Sequence, residues 1–256
     1  MIPKSKIKLI KSLEYRKFRA EHRLFVAEGN RMVTDLLRSK IAVSILYATE
    51  TFLKEHSSIL PSNQHIVACS QEEIAAASHL RSPQEALLLC HLPEYSLQAL
   101  DTDSQLVLCL DHIQDPGNVG TIVRVADWFG ITDVVCSLNT ADIYAPKAVQ
   151  ATMGSIARVR AHYTDLQAWL EPQAGKDVAI MGTFLNGENL FGGRLPKSGI
   201  VVVGNEGNGI SEAIAPLVSH RLTIPGGHPT GEGPESLNVA LATAIFCAEF
   251  FRQKGL

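Results

Sequence analysis

Five polar side chains stand out against small and apolar neighbours: Asn118, Arg124, Glu206, Ser236 and Asn238. They fall in three stretches, DPGNVGTIVR (115–124), VVVGNEGNGIS (201–211) and LTIPGGHPTGEGPESLNVALATA (222–244). Each leaves a β-branched or apolar run, crosses small residues and enters a helical pattern. Arg124 lies in TIVRVADWF, a mostly apolar helix, where an unpaired buried guanidinium is costly and calls for an anion. That anion is either a carboxylate of this chain or a phosphate from outside. GNEGNG lacks the Gly-Lys-Ser/Thr ending of a P-loop and does not keep a dinucleotide fingerprint spacing. Its Glu206 would repel phosphate. Loops without basic charge but rich in backbone donors and acceptors suit a neutral or cationic, adenosine-like ligand. Each residue also has a plain local reading. Asn118, Ser236 and Asn238 could cap helices, and Glu206 could be an acid at a helix N-terminus.

The elements that must position these residues alternate. A helix is expected over 4–20, with Ile7, Ile10, Leu13 and Phe18 as its apolar stripe. LFVAEG reads as a strand, NRMVTDLL as a helix with an Asn cap, SILYAT and HIVACS as strands, QEEIAAAS as a helix and EALLLCHLP as a strand. EYSLQALDTDSQ is a polar linker. The pattern then restarts as strand LVLCLD, helix NVGTIVRVADWFG, strand DVVCS, helix APKAVQATMGSIA, a strand near RVRAHY, helix LQAWLEPQ, strands DVAIMGTF and GIVVVGN, helix ISEAIAPLV, strand HRLTIP and helix SLNVALATAIFCAEFFRQK. The fold class is α/β, with a mainly parallel sheet covered on both faces. In such sheets ligands bind past the carboxyl ends of the strands. The expected units are 1–95 and 104–256.

Charge is distributed unevenly. Of 23 Lys and Arg, eleven lie in residues 1–40 against four acids, whereas the whole chain carries −3. A basic segment on an acidic body suits a polyanion partner, although a solvated helix face would look the same. Cys69, Cys90, Cys109, Cys136 and Cys247 are widely spaced and read as buried thiols of a reducing cytoplasm. No apolar run approaches the roughly 18 residues that cross a membrane. The basic N-terminus has no apolar core or cleavage site of a secretory signal.

The three stretches, in this order, resemble motifs 1, 2 and 3 of the SpoU (TrmH) family of RNA ribose 2′-O-methyltransferases, in the SPOUT superfamily. The resemblance covers about residues 104–252. Residues 1–95, through LFVAEGNRMVTDLL and SPQEALLLC, are similar to an L30e-like RNA-binding domain carried by many members. Gly226 stands where the third motif usually has Met, Ala240 replaces its second Ser, and GHPTGEGP lengthens the loop that holds His228.

The resemblance implies a catalytic domain with a deep trefoil knot, a homodimer, and S-adenosylmethionine lying near Thr183, Gly204, Asn205, Gly207, Ile224 and Leu237. It implies methyl transfer to a ribose 2′-hydroxyl of structured RNA, rRNA before tRNA, in the cytoplasm and with no metal. Because the donor is already activated, aligning the reactants is the main demand, and alignment can supply about 7–11 kcal/mol. Arg124 would grip the phosphate beside the target ribose and stabilise the developing alkoxide. Asn118 would hold Arg124 or the ribose, Glu206 would orient the pocket's polar groups and offset the sulfonium, and Ser236 and Asn238 would position nucleotide and loop. Lys8, Lys11, Arg16, Arg19 and Arg23 would contact RNA phosphates. KAVQATMGS (147–155) would lie near the substrate or be a core-packing helix. A different class of protein, an RNA binder with an inactive methylase fold, would share most of these features, and so would a methylase of small molecules or proteins.

Overall fold

Apolar runs bounded by turn residues become strands, and these assemble into two sheets. The computed structural model describes residues 1–60, 65–176, 178–227 and 235–255. They divide into a first unit, Met1–Glu94 with Asp142–Arg158, and a second, Tyr95–Ala141 with Val159–Leu256.

The first unit holds α1 (Lys4–Ser12), α2 (Arg16–His22), β1 (Leu24–Glu28), α3 (Asn30–Leu37), β2 (Val43–Ala48), α4 (Glu50–Glu55), β3 (His65–Ala68), α5 (Gln71–Ala77) and β4 (Ala86–His91). Its sheet runs β1-β4-β2-β3, with β4 antiparallel to both neighbours and β2 parallel to β3. Ile10 and Leu13 bury against Val26, Tyr47, Ile74 and Leu89. The α5 start is fixed by a capping box, Ser70 with Glu73. Asn30 is not the cap of α3. Gly29 takes that place at φ +99, and the Asn30 amide instead bonds Glu85 through both its ends.

The second unit runs β5 (Leu106–Leu110), α6 (Pro116–Trp128) and β6 (Asp133–Ser137). The chain then enters the first unit with α7 (Pro146–Thr152) and returns through β7 (Arg160–Thr164), α8 (Leu166–Ala174), β8 (Ile180–Asn189), β9 (Gly199–Val203), β10 (His220–Thr223) and α9 (Val239–Lys254). All five pairings of the sheet β10-β8-β9-β5-β6-β7 are parallel. The chain moves outward from β5 to β7 on one side and fills the other side with β8, β9 and β10. The β5–β9 boundary is therefore a topological switch point, where an open α/β sheet leaves a crevice. ISEAIAPLV does not become a helix. Pro216 lies within it, and only a 3-10 turn forms, Ala215–Leu217. Among the described residues no helix is long and apolar enough to cross a membrane.

The helix expected over 4–20 breaks at Leu13–Tyr15, and Arg19 holds the break. Its Nη1 donates to the carbonyls of Leu13 and Glu14 at 2.7 and 2.8 Å, and Nε and Nη2 donate to Asp142 Oδ2 at 2.9 and 2.6 Å. Arg19 is 2% exposed. It is thus a structural cation and not the phosphate-contacting base expected from the sequence, because every edge of its fork is spent inside the unit. Truncating one member of a buried pair leaves the other uncompensated. Arg19→Ala should therefore cost about 3–5 kcal/mol in urea unfolding, against less than about 0.5 kcal/mol for exposed Lys8→Ala. Equal losses at the two positions would rule the pairing out.

Candidate active site

The Asp-Pro pair that opens the first motif sets the start of α6. Asp115 is the N-cap, accepting the Asn118 N–H at 3.0 Å, and Pro116 follows at the first helical position. Capping therefore falls to Asp115, and the Asn118 side chain is left to reach outward. Asp115 is a residue that sequence reasoning passed over, although an Asp before Pro at a helix start is a known signal.

Asn118 joins all three motif loops. Its Nδ2 donates to Glu206 Oε1, and its Oδ1 accepts from Asn238 Nδ2 at 3.0 Å. The order of atoms is dictated. A carboxylate only accepts, so the amide nitrogen of Asn118 must face Glu206. Asn238 spends its oxygen on the N–H groups of Ala240 and Leu241, at 2.9 and 3.3 Å, and so has its nitrogen left to give. Asn238 is thus both the cap of α9 and a member of the cluster. Glu206 has no α-helix to neutralise, since only a 3-10 turn follows it. Ser236 is exposed, two residues before Asn238.

Glu206 is carried on a turn that closes on itself. Asn205 and Gly209 exchange both backbone hydrogen bonds, at 3.0 and 2.8 Å. Asn205 Oδ1 accepts from the N–H groups of Gly207 and Asn208, and its Nδ2 donates to the His112 carbonyl at 2.9 Å. A Cβ at Gly204 would stand 2.2 Å from the Gly209 carbonyl carbon. Only glycine fits there.

Of the residues expected around the donor, Gly204, Asn205, Gly207 and Ile224 follow strands, Thr183 lies within β8 and Leu237 precedes α9. Thr183 is half-buried in a five-residue excursion of β8, where the β10 ladder jumps from the Arg221–Gly182 pair to the Leu222–Glu188 pair. Gly204, Asn205 and Gly207 follow β9, and half-buried Ile224 follows β10. Leu237 is 47% exposed. The excursion is held by Thr223 Oγ1, which donates to the Leu185 carbonyl at 3.1 Å, and by Arg221, whose guanidinium stacks 3.6 Å from the Phe184 ring centroid. His228 and most of the lengthened loop lie outside the described residues.

Arg124 differs from its sequence-based expectation. The buried face of α6 is Val119, Ile122, Val123 and Ala126, so Arg124 points outward and is exposed. Among the described residues no hydrogen bond or ion pair occupies its guanidinium. It does not touch Asn118, whose amide is engaged by Glu206 and Asn238. Trp128, one turn further on the same face, is 85% exposed. Of the bases expected to meet RNA, Lys8 and Arg16 are exposed. The Lys11 ammonium donates to the Ser78 carbonyl, and Arg23 pairs with Glu94 at 2.6 Å.

Gly204→Ala should destabilise the second unit by about 3 kcal/mol, the upper range of overpacking, because the obstruction is backbone rather than a movable side chain. Thermal unfolding checks this. A shift of less than a degree would contradict the closed turn.

Comparison with known proteins follows these features closely. The profile of the SpoU rRNA Methylase family matches residues 105–248, and that of the MRM3-like substrate binding domain matches residues 4–88. The 23S rRNA (guanosine(2553)-2′-O)-methyltransferase RlmP of Bacillus subtilis is 32% identical over 94% of this chain and 93% of its own. A TrmH-family protein of Porphyromonas gingivalis superposes with a TM-score of 0.88 and 36% identity, over 99% of both chains. The SpoU methyltransferase AviRb of Streptomyces viridochromogenes, solved with AdoMet, shares the fold at TM-score 0.85 and 21% identity over 98% of both chains. With three motif loops converging on one amide and the family profile spanning more than half of its length, the chain belongs to the SpoU rRNA methylase family.

Proposed function

We propose that this protein transfers a methyl group from S-adenosylmethionine to a ribose 2′-hydroxyl of ribosomal RNA. The observation that carries the reading is the Asn238–Asn118–Glu206 chain, which draws three strand-exit loops into one cluster. The local chemistry fits such a donor. Thr183, Gly204, Asn205, Gly207, Ile224 and Leu237 include no base, Glu206 supplies a negative charge for a cation, and Ile224 with Leu237 offers apolar surface for a purine. Bound there, the donor would supply an electrophilic methyl on a positively charged sulfur. The 23S rRNA activity named for the Bacillus subtilis relative favours rRNA over tRNA as substrate.

The chain's own groups have separate tasks. Glu206 faces the sulfonium side and holds Asn118 in one amide orientation. Asn238 fixes the start of α9, and Ser236 offers a hydroxyl to the nucleotide. Arg124 binds the phosphate next to the target ribose and stabilises the alkoxide as its proton leaves. Its outward position fits a homodimer. Arg124 and Trp128 share one face of α6, and Leu241 on α9 is 58% exposed, so a second copy that covers the tryptophan also encloses the arginine. The trefoil knot, the RNA-binding role of residues 1–95 through Lys8, Lys11, Arg16 and Arg23, the catalytic role of 104–256, and cytoplasmic work on rRNA belong to the same proposal.

Mapping ribose methylation in total RNA from cells with and without the gene tests the activity. Loss of a single 2′-O-methyl mark in rRNA is the expected result, and an unchanged map overturns it. Arg124→Ala should lower kcat by at least about a thousandfold while calorimetry finds donor affinity within a few-fold, since the guanidinium acts on the RNA phosphate and the developing alkoxide and not on the donor. RNA affinity should fall steeply between 50 and 200 mM salt, by about tenfold or more for several phosphate contacts. A flat response in a filter-binding titration would remove the basic helices from the substrate path.

A further inference from the structure

Asp111 and His112, the two residues that leave β5, have no part in the chemistry described so far. Asp111 is 2% exposed, a carboxylate sealed at the end of an apolar strand. Its N–H donates to the Val203 carbonyl at 2.9 Å, which carries the β5–β9 ladder one step beyond the strand. Its Oδ2 accepts the Ser211 N–H at 2.7 Å, and its Oδ1 lies 3.4 Å from His112 Nδ1. His112 has φ +56, a left-handed conformation that side chains rarely adopt. In that conformation its carbonyl accepts from Asn205 Nδ2 at 2.9 Å, and its N–H donates to Ser137 Oγ at 2.9 Å. Ser137 Oγ lies 2.9 Å from Thr140 Oγ1, which donates back to the Leu110 carbonyl at 2.9 Å. The exits of β5, β6 and β9 are therefore tied through two consecutive residues.

The placement of these bonds is specific. Asn205 and Ser211 are the two feet of the turn that carries Glu206. One foot is held by the His112 carbonyl and the other by the Asp111 carboxylate. Asn118, which must meet Glu206, lies six residues downstream of His112 in the same loop-to-helix passage. A buried charge and a strained backbone are both unfavourable to folding, and such features persist where the geometry they enforce serves a site. We infer that Asp111 and the backbone of His112 are positioning residues for methyl transfer, clamping both feet of the Asn205–Ser211 turn so that Glu206 stays in register with Asn118. This rests on the methyltransferase reading above. It assigns the work at position 112 to the main chain, with the imidazole oriented by Asn139, whose Nδ2 lies 3.0 Å from its Nε2.

The test separates main chain from side chain. His112→Gly deletes the imidazole but admits the positive φ, whereas His112→Val disfavours it and swings the carbonyl away from Asn205. Asp111→Asn keeps an acceptor for the Ser211 N–H, and Asp111→Ala removes it. Donor affinity is measured by calorimetry with S-adenosylmethionine, RNA affinity by filter binding, and folding by the unfolding midpoint, all on the full-length protein. His112→Val and Asp111→Ala should weaken donor binding at least about tenfold, with RNA affinity within twofold. His112→Gly and Asp111→Asn should restore donor binding to within about threefold. Donor binding kept by a folded His112→Val protein, or lost equally in His112→Gly, overturns the clamp. If Asp111→Ala does not fold, the two His112 variants alone decide. An unsubstituted protein that binds no donor overturns the methyltransferase reading beneath it.

Discussion

The β5–β9 ladder is the constraint on which the site depends. Five consecutive parallel pairs, from Leu106–Gly199 to Leu110–Val203, fix two strands that are 93 residues apart in the chain. Parallel pairing sends both strands out of the same edge, so the loops after Leu110 and Val203 must emerge side by side. Both strands are buried throughout, and a slip of one residue would turn every side chain to the opposite face. The register of an apolar core thus decides whether Asn118 and Glu206 can meet at all.

Given that ladder, the cluster above it is built from amides instead of opposed charges. An amide presents a donor and an acceptor at opposite ends, so Asn118 can bridge a carboxylate and a second amide without placing an unbalanced charge there. Its orientation follows from its neighbours: Glu206 fixes one end and the helix-bound oxygen of Asn238 fixes the other. A cation at the position of Asn118 would pair with Glu206 and cancel its negative charge.

Most strands were legible because each is a short apolar run bounded by turn residues, and the three loops were legible by their polar residues among small ones. What escaped was tertiary. The polar tail of β8, Leu185–Asn189, carries no strand signal, and β10 rejoins it only at Glu188 and Asn189, after a five-residue skip. The break at Leu13–Tyr15 depends on Arg19 reaching Asp142, 123 residues away. The sequence predicts a buried Arg124 because its helix is apolar on more than one face. The outer apolar residue is Trp128, whose exposure no periodicity reveals. Asn238 satisfied two readings at once, because capping uses its oxygen and the cluster uses its nitrogen.

The chain crosses between its two units three times, after Glu94, after Ala141 and after Arg158. The segment Asp142–Arg158 lies against first-unit residues: α7 packs on β1, the Tyr144 ring sits 5.0 Å from Phe25, and Asp142 holds Arg19. A fragment begun at residue 95 would keep this segment and lose its bed, laying bare Ala148 and Val149 and stranding the carboxylate of Asp142. Excision of the N-terminal portion is therefore no neutral trimming. The two halves are sewn by a returning thread, and any dissection that respects the architecture must carry that thread with the first half.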